Sequence, residues 1–217
     1  MFTRHVLIVE DEALLRDLLA QTLTARGFTV AGAATASEAR SVFDDGDFDA
    51  IIVDINLGPG LDGFDLAEAL VRDNPGLGVV FLTNLPDARF SGNETRTVFR
   101  GAAYLRKQQL LNSNELVDAL DAVLVGRVGS NLRHDQDPER PLANLSRMQF
   151  EVLRMVAEGR SNQQIAEDRN RTVGSVESML TRIFVLLGID ATADRNARVA
   201  AARAYLEATR ATPLVEP

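Results

Sequence analysis

The sequence contains no cysteine and no tryptophan, and only two histidines and one lysine. Without cysteine there can be no disulfide, no thiolate metal site and no thiol nucleophile. The two isolated histidines, His5 and His134, are too few for an imidazole metal cluster. Long apolar runs are also missing. Val6-Leu7-Ile8-Val9 stops at once against Glu10-Asp11-Glu12, too short for the apolar core of a signal peptide. Nothing approaches the ~20 apolar residues that a membrane span needs. A cytoplasmic protein with no membrane partner is therefore expected. What remains is ordinary globular composition, 46% hydrophobic and 25% charged, in 217 residues, enough for one large or two small domains.

The net charge of −8 is unevenly spread. Residues 1–125 carry 19 Asp/Glu and 10 Lys/Arg, whereas residues 126–217 carry 12 and 13. The first part, at −9, does not invite nucleic acid. The second, at +1 and with arginine as its only cation, permits DNA binding without demanding it.

Along the first part, short apolar runs alternate with amphipathic helical patterns. The runs are His5–Val9, Phe28–Ala31, Ala50–Asp54, Val79–Thr83 and Ala102–Leu105. Runs without polar alternation read as strands buried on both faces, and their alternation with helices implies a parallel sheet. Helices are expected over Ala13–Arg26, Ser37–Asp44, Phe64–Asp73, around Ala88–Arg100, and over Asn114–Val125. Ser91-Gly92-Asn93 makes the fourth the weakest, since glycine costs roughly 1 kcal/mol relative to alanine inside a helix. Thr35-Ala36-Ser37-Glu38 has capping-box spacing, and Gly27 ends the first helix. The fold class is thus α/β, a flavodoxin-like, doubly wound, five-stranded parallel domain over residues 1–125. Residues 126–144, rich in Gly, Pro and charge, read as a linker. Residues 145–217 read as an all-α domain. Ser146 and Ser161 each stand three residues before a glutamine and open separate helices. Gly159 closes the first of these, a third helix spans Gly174–Leu187 up to Gly188, and a fourth spans about Arg195–Thr209.

In such sheets, ligands bind beyond the carboxyl ends of the strands. There stand Glu10-Asp11 after the first strand, Asp54 after the third, Thr83 after the fourth and Lys107 after the fifth. Several carboxylates so close need a cation, and hard oxygen ligands suit Mg²⁺. These residues, with Gly101-Ala102-Ala103-Tyr104-Leu105-Arg106 leading to Lys107, resemble the response-regulator receiver family. The resemblance implies that Asp54 accepts a phosphoryl group from the phosphohistidine of a sensor histidine kinase. It makes Glu10, Asp11, Asp54 and the Asn56 backbone carbonyl the Mg²⁺ ligands. Lys107 and Thr83 would contact the phosphoryl group, and Tyr104 would follow Thr83 as a switch. An aspartate-nucleophile phosphatase of the haloacid dehalogenase type would place Asp-x-Asp after the first strand, where this chain has Glu10-Asp11, so a signalling switch rather than an enzyme is expected. Two departures stand out. The Asp54–Gly63 loop is about one residue longer than usual and glycine-rich, so positive φ angles can absorb the excess. Asn84-Leu85 follows Thr83, and Leu85 cannot orient a hydrolytic water, which predicts slow autodephosphorylation.

Leu145-Ser146, Glu151-Val152-Leu153, Val156-Ala157-Glu158-Gly159, Ile165-Ala166-Glu167, Ser175-Val176 and Leu187-Gly188-Ile189 resemble the LuxR-type helix-turn-helix domain. The chain would then have the NarL/FixJ layout. That resemblance implies DNA contact by the third tail helix, with Arg160, Arg169, Arg171, Ser175, Ser178, Thr181 and Arg182 as candidates, and a phosphorylation-dependent homodimer. Glu177, Met179, Val185 and Leu186 stand where the family usually has basic or polar residues. The alternative is a helix-turn-helix used for dimerisation or protein binding.

Overall fold

The computed structural model describes residues 3–58, 62–91, 98–110, 112–189 and 196–210. The chain divides into two compact units, residues 1–84 with 98–136, and residues 85–97 with 137–217.

The first unit is a five-stranded, all-parallel sheet in the order β2-β1-β3-β4-β5. Its strands are β1 (His5–Val9), β2 (Thr29–Ala33), β3 (Ala50–Val53), β4 (Gly78–Thr83) and β5 (Ala103–Arg106). Its helices are α1 (Ala13–Ala25), α2 (Ala36–Asp44), α3 (Gly63–Asp73) and α4 (Ser113–Leu124). Successive strand residues point to opposite faces, so Val6, Ile8, Ile52, Val80, Leu82, Ala103 and Leu105 share one core with Leu19 and Leu23 of α1 and Leu116, Leu120 and Val123 of α4. On the other face Phe81 packs against Phe64 of α3 at 4.5 Å and Tyr104 at 6.2 Å between ring centroids. The predicted punctuation is present. Thr35 accepts a hydrogen bond from the Glu38 N–H, and Gly27 ends α1 at φ +92°.

Two expectations need correction. Around Ala88–Arg100 the described residues hold only a short 3-10 turn, Ala88–Ser91, and Arg100 is not helical; residues 92–97, Asn93 included, lie outside the described residues. The side chains of Arg89 and Phe90 pair with other residues of the second unit. The linker 126–144 is not a free tether either. Leu132 is buried in the first unit's core, Arg133 bridges to Tyr104 in parallel, and the His134 Nδ1 accepts the Arg106 N–H at 3.0 Å. Apolar Val128 and Leu132, set among the polar residues, supply the anchor, and the boundary falls after Gln136.

The second unit contains α5 (Arg147–Ala157), α6 (Asn162–Asp168), α7 (Val173–Leu186) and α8 (Ala197–Arg210); Arg195, where the last helix was expected to start, lies outside the described residues. Ser146 and Ser161 form complete reciprocal capping boxes with Gln149 and Gln164. Phe150, Leu153, Val156, Ile165, Val176, Leu180, Ile183 and Ala201 are buried. Gly159 and Gly188 close α5 and α7 at positive φ, as the sequence predicts.

Candidate functional site: an acidic phosphoacceptor pocket

The strand order places the topological switch between β1 and β3, so the residues following these two strands face one another across the crevice. Glu10 and Asp54 are buried there and Asp11 is exposed. One carboxylate oxygen from each of Glu10, Asp11 and Asp54 lies within 4.8 Å of the others. Lys107, just past β5, donates from Nζ to Asp54 Oδ2 at 2.7 Å and to Glu10 Oε1 at 2.9 Å. The single lysine of the chain therefore pairs with Asp54 across a sequence separation of 53 residues.

Electrostatics within the pocket are unbalanced. Burial pushes the Glu10 carboxyl up to about 7; Lys107 opposes the rise and the Asp54 charge adds to it. Burial alone would lower the Lys107 ammonium, but Asp54 and Glu10 outweigh it and hold the group above its ordinary value. Three acidic groups against one ammonium leave net negative charge in a largely desolvated crevice, which a divalent cation with oxygen preference would relieve.

The backbone fixes the acceptor. The Asn56 N–H donates to Asp54 Oδ1 at 3.2 Å, and the Arg16 guanidinium donates to the Glu10 carbonyl at 2.6 Å. Gly58 takes φ +76°, so one glycine of the lengthened loop does adopt the left-handed region; residues 59–61 lie outside the described residues. Sequence reasoning missed Gly63 as a site residue. A Cβ on it would lie 2.0 Å from the Asp54 carbonyl oxygen, and its N–H donates to the Ile55 carbonyl at 2.9 Å. The glycine immediately before the apolar start of α3 was its available signal. Thr83, at the carboxyl end of β4, and Tyr104, on β5, are both fully buried.

Residues 6–120 match the response regulator receiver domain family, and residues 143–194 match the bacterial regulatory proteins of the luxR family. The chain belongs to the response-regulator family. A receiver joined to a LuxR-type helix-turn-helix is the make-up of the NarL/FixJ type of response regulator. The transcriptional regulatory protein TcrA of Mycobacterium tuberculosis is 41% identical over 79 residues, 36% of this chain but only 31% of that protein. LiaR of Bacillus subtilis is 26% identical over 197 residues, covering 85% of this chain and 91% of LiaR. The structure of an RcsB–DNA complex, 23% identical, aligns over 95% of this chain and 99% of RcsB at a TM-score of 0.59, which shows a shared two-domain fold.

For this response regulator the candidate DNA residues fall into two groups. Ser175, Ser178, Thr181 and Arg182 lie exposed along α7, together with Glu177, Val185 and Leu186. The Ser178 and Thr181 hydroxyls donate back to the carbonyls of Gly174 and Glu177. Arg171, before α7, is exposed and forms no ion pair with any described residue. By contrast, Arg169 is paired with Glu151 and largely buried, and Arg160 pairs with Glu158 and Asp168. Among the described residues no helix is long and apolar enough to cross a membrane.

Proposed function

We propose that Asp54 is the phosphoacceptor of a phosphorelay and that the helical unit regulates transcription by binding DNA. The observation that carries this reading is the Asp54 carboxylate at 2.7 Å from Lys107 Nζ, in a buried pocket shared with Glu10 and Asp11. The donor is the phosphohistidine of a sensor histidine kinase. An Asp54 oxygen bonds to phosphorus while the P–N bond breaks and its electron pair leaves with the imidazole. Lys107 holds Asp54 in position and faces the charge that gathers on the phosphoryl oxygens, the principal contribution a protein makes to such transfers. Glu10, Asp11 and Asp54, with the Asn56 backbone carbonyl, would hold Mg²⁺; the all-oxygen donor set and the excess negative charge fit it. When bound, the ion draws charge from the phosphoryl oxygens. Thr83 then hydrogen-bonds the phosphoryl group, and Tyr104 responds to its movement.

On the output side, Arg171 and Arg182 contact phosphates, and Ser175 and Ser178 face the groove. Arg160 and Arg169 serve chiefly to brace the motif, since their charges are already paired. Phosphorylation promotes a homodimer that grips two half-sites.

The test is phosphotransfer from a phosphorylated histidine kinase to the wild-type chain and to Asp54→Asn. Label acquired by the wild type and absent from Asp54→Asn is expected. Label retained by Asp54→Asn would overturn the assignment. A promoter-fragment titration with and without beryllofluoride then reports on the DNA half of the reading.

A further inference from the structure

β1 ends at Val9 and α1 begins at Ala13, so the chain must turn at the buried Glu10. The main chain at Glu10 therefore decides where two acidic side chains of the pocket, Glu10 and Asp11, can point. Its N–H is fixed by the sheet, donating to the Ala33 carbonyl at the end of β2 at 3.0 Å. Its carbonyl lies beyond the ladder. β2 stops at Ala33, and the next N–H, that of Ala34, donates instead to Glu38 Oε2 of α2 at 2.7 Å. A main-chain carbonyl that leaves the sheet at a buried residue needs another donor.

Arg16, in the first turn of α1, supplies it. Its Nη1 donates to the Glu10 carbonyl at 2.6 Å. Because the donor is charged, such a bond is roughly twice as strong as a neutral one. The stem of the same side chain lies against β2, the edge strand of the sheet. A Cβ placed on Gly32 of β2 would lie 3.2 Å from Arg16 Cδ, 3.5 Å from Cγ and 3.7 Å from Nε. Gly32 is not among the glycines with positive φ, so its backbone does not demand glycine. What its missing side chain provides is room, and glycine inside a strand often marks such a close approach.

We propose that Arg16 is a positioning residue for the phosphoacceptor pocket. Seated in the Gly32 notch, it holds the Glu10 carbonyl and thereby aims Glu10 and Asp11 at the divalent cation. This inference rests on the phosphoacceptor reading, because Arg16 acts only through the carboxylates of that site. Without Arg16 the peptide plane between Glu10 and Asp11 is free to rotate. The Glu10 carboxylate stays tied to Lys107, so the looseness falls chiefly on the exposed Asp11. The effect is therefore on metal affinity rather than on the chemical step at Asp54. Its sign is diagnostic. Removing a positive charge beside an acidic pocket would by itself tighten a cation, whereas loss of positioning weakens it.

The test uses the full chain, with Mn²⁺ as the probe of the metal site, followed by electron paramagnetic resonance. Phosphoramidate serves as phosphoryl donor in rate measurements over a Mg²⁺ series. Partners outside the ligand shell commonly change metal affinity by 10- to 100-fold, and a single main-chain bond belongs at the lower end, so Arg16→Ala should bind Mn²⁺ about tenfold more weakly. Its phosphorylation rate should match wild type at saturating Mg²⁺ and fall behind when Mg²⁺ is limiting. Equal or tighter Mn²⁺ binding would overturn the proposal and leave the phosphoacceptor reading standing. So would unchanged affinity with a lower rate at saturating Mg²⁺. Gly32→Ala keeps the guanidinium but crowds its stem, and should weaken Mn²⁺ binding several-fold. In the Arg16→Ala background the added methyl enters vacated space and should cost nothing further. Equal losses in both backgrounds, or no loss in either, would overturn the notch. A wild-type chain that takes up neither Mn²⁺ nor a phosphoryl group would remove the pocket and this inference together.

Discussion

At the scale of single residues, two substitutions separate geometry from charge. Gly63→Ala keeps every charge of the pocket but places a methyl group 2.0 Å from the Asp54 carbonyl. The Asp54 loop must move, and overpacking of this kind costs on the order of 1–3 kcal/mol. We expect a lower urea midpoint together with slower phosphotransfer to Asp54. Unchanged transfer would mean that the loop tolerates the shift. Asp87 is the complementary case. Burial would raise its carboxyl, but the hydrogen bonds and charge of Arg89, and the bond from Arg140, hold it below the ordinary aspartate value. Because the folded-state value is depressed, the stabilisation is fully present above the unfolded aspartate pKa and is lost as pH falls through the folded value. Asp87→Asn leaves the buried Arg89 and the half-buried Arg140 without their carboxylate, a loss of about 3–5 kcal/mol near neutral pH. Urea titrations of both proteins should show the penalty at pH 7 and its progressive shrinkage as the wild type is taken below pH 4. A penalty independent of pH would assign it to packing instead.

At the scale of elements, what could be read from the sequence was whatever is encoded locally. The four apolar strands β1, β3, β4 and β5 announce themselves by unbroken runs, because both of their faces are covered. The caps at Thr35, Ser146 and Ser161 are visible because a cap needs only four consecutive residues. Ser161→Ala, for instance, removes the acceptor for the Gln164 N–H and should cost about 1 kcal/mol of helical-unit stability, measurable by thermal unfolding. The candidate pocket was legible for a different reason, since the carboxyl ends of parallel strands converge whatever the intervening sequence. The fate of residues 85–91 was not legible. Arg89 meets the Leu142 and Leu145 carbonyls, and Phe90 meets Phe150 and Tyr205, all more than 50 positions away. No local pattern reports a partner at that distance, and Gly92 signals only that a helix is weak. The strap over β5 escaped for the same reason, as Leu132 and His134 sit in a stretch whose composition is that of a linker. Slow loss of the acyl phosphate remains the expectation from Leu85, which carries no group to position a water. A phosphoryl lifetime of only seconds at Asp54 would count against it.

At the scale of the whole molecule, charge bounds the proposed grip on DNA. The receiver half is strongly acidic, and in the helical half Arg160 and Arg169 are spent on Glu158, Asp168 and Glu151. Of the candidate arginines, Arg171 and Arg182 remain exposed and without an ion pair to any described residue. Each phosphate neutralised contributes roughly −0.9 to the slope of log K against log salt. Two such contacts per protomer predict a slope of about −2, or about −4 for a dimer on two half-sites. Such a shallow dependence implies weak sequence-independent binding, so the exposed side chains of α7 must carry a larger share of recognition. Glu177 is exposed among them and repels phosphate, yet it can accept from the amino group of cytosine. Glu177→Lys should therefore tighten binding to arbitrary DNA, steepen the slope by about 1 per protomer, and reduce preference for the true site. Fluorescence anisotropy over a salt series, on promoter and scrambled duplexes, measures all three quantities. If Glu177→Lys leaves the slope unchanged, α7 does not lie against the DNA backbone, and the exposed Val185 and Leu186 would then mark a protein-binding surface instead.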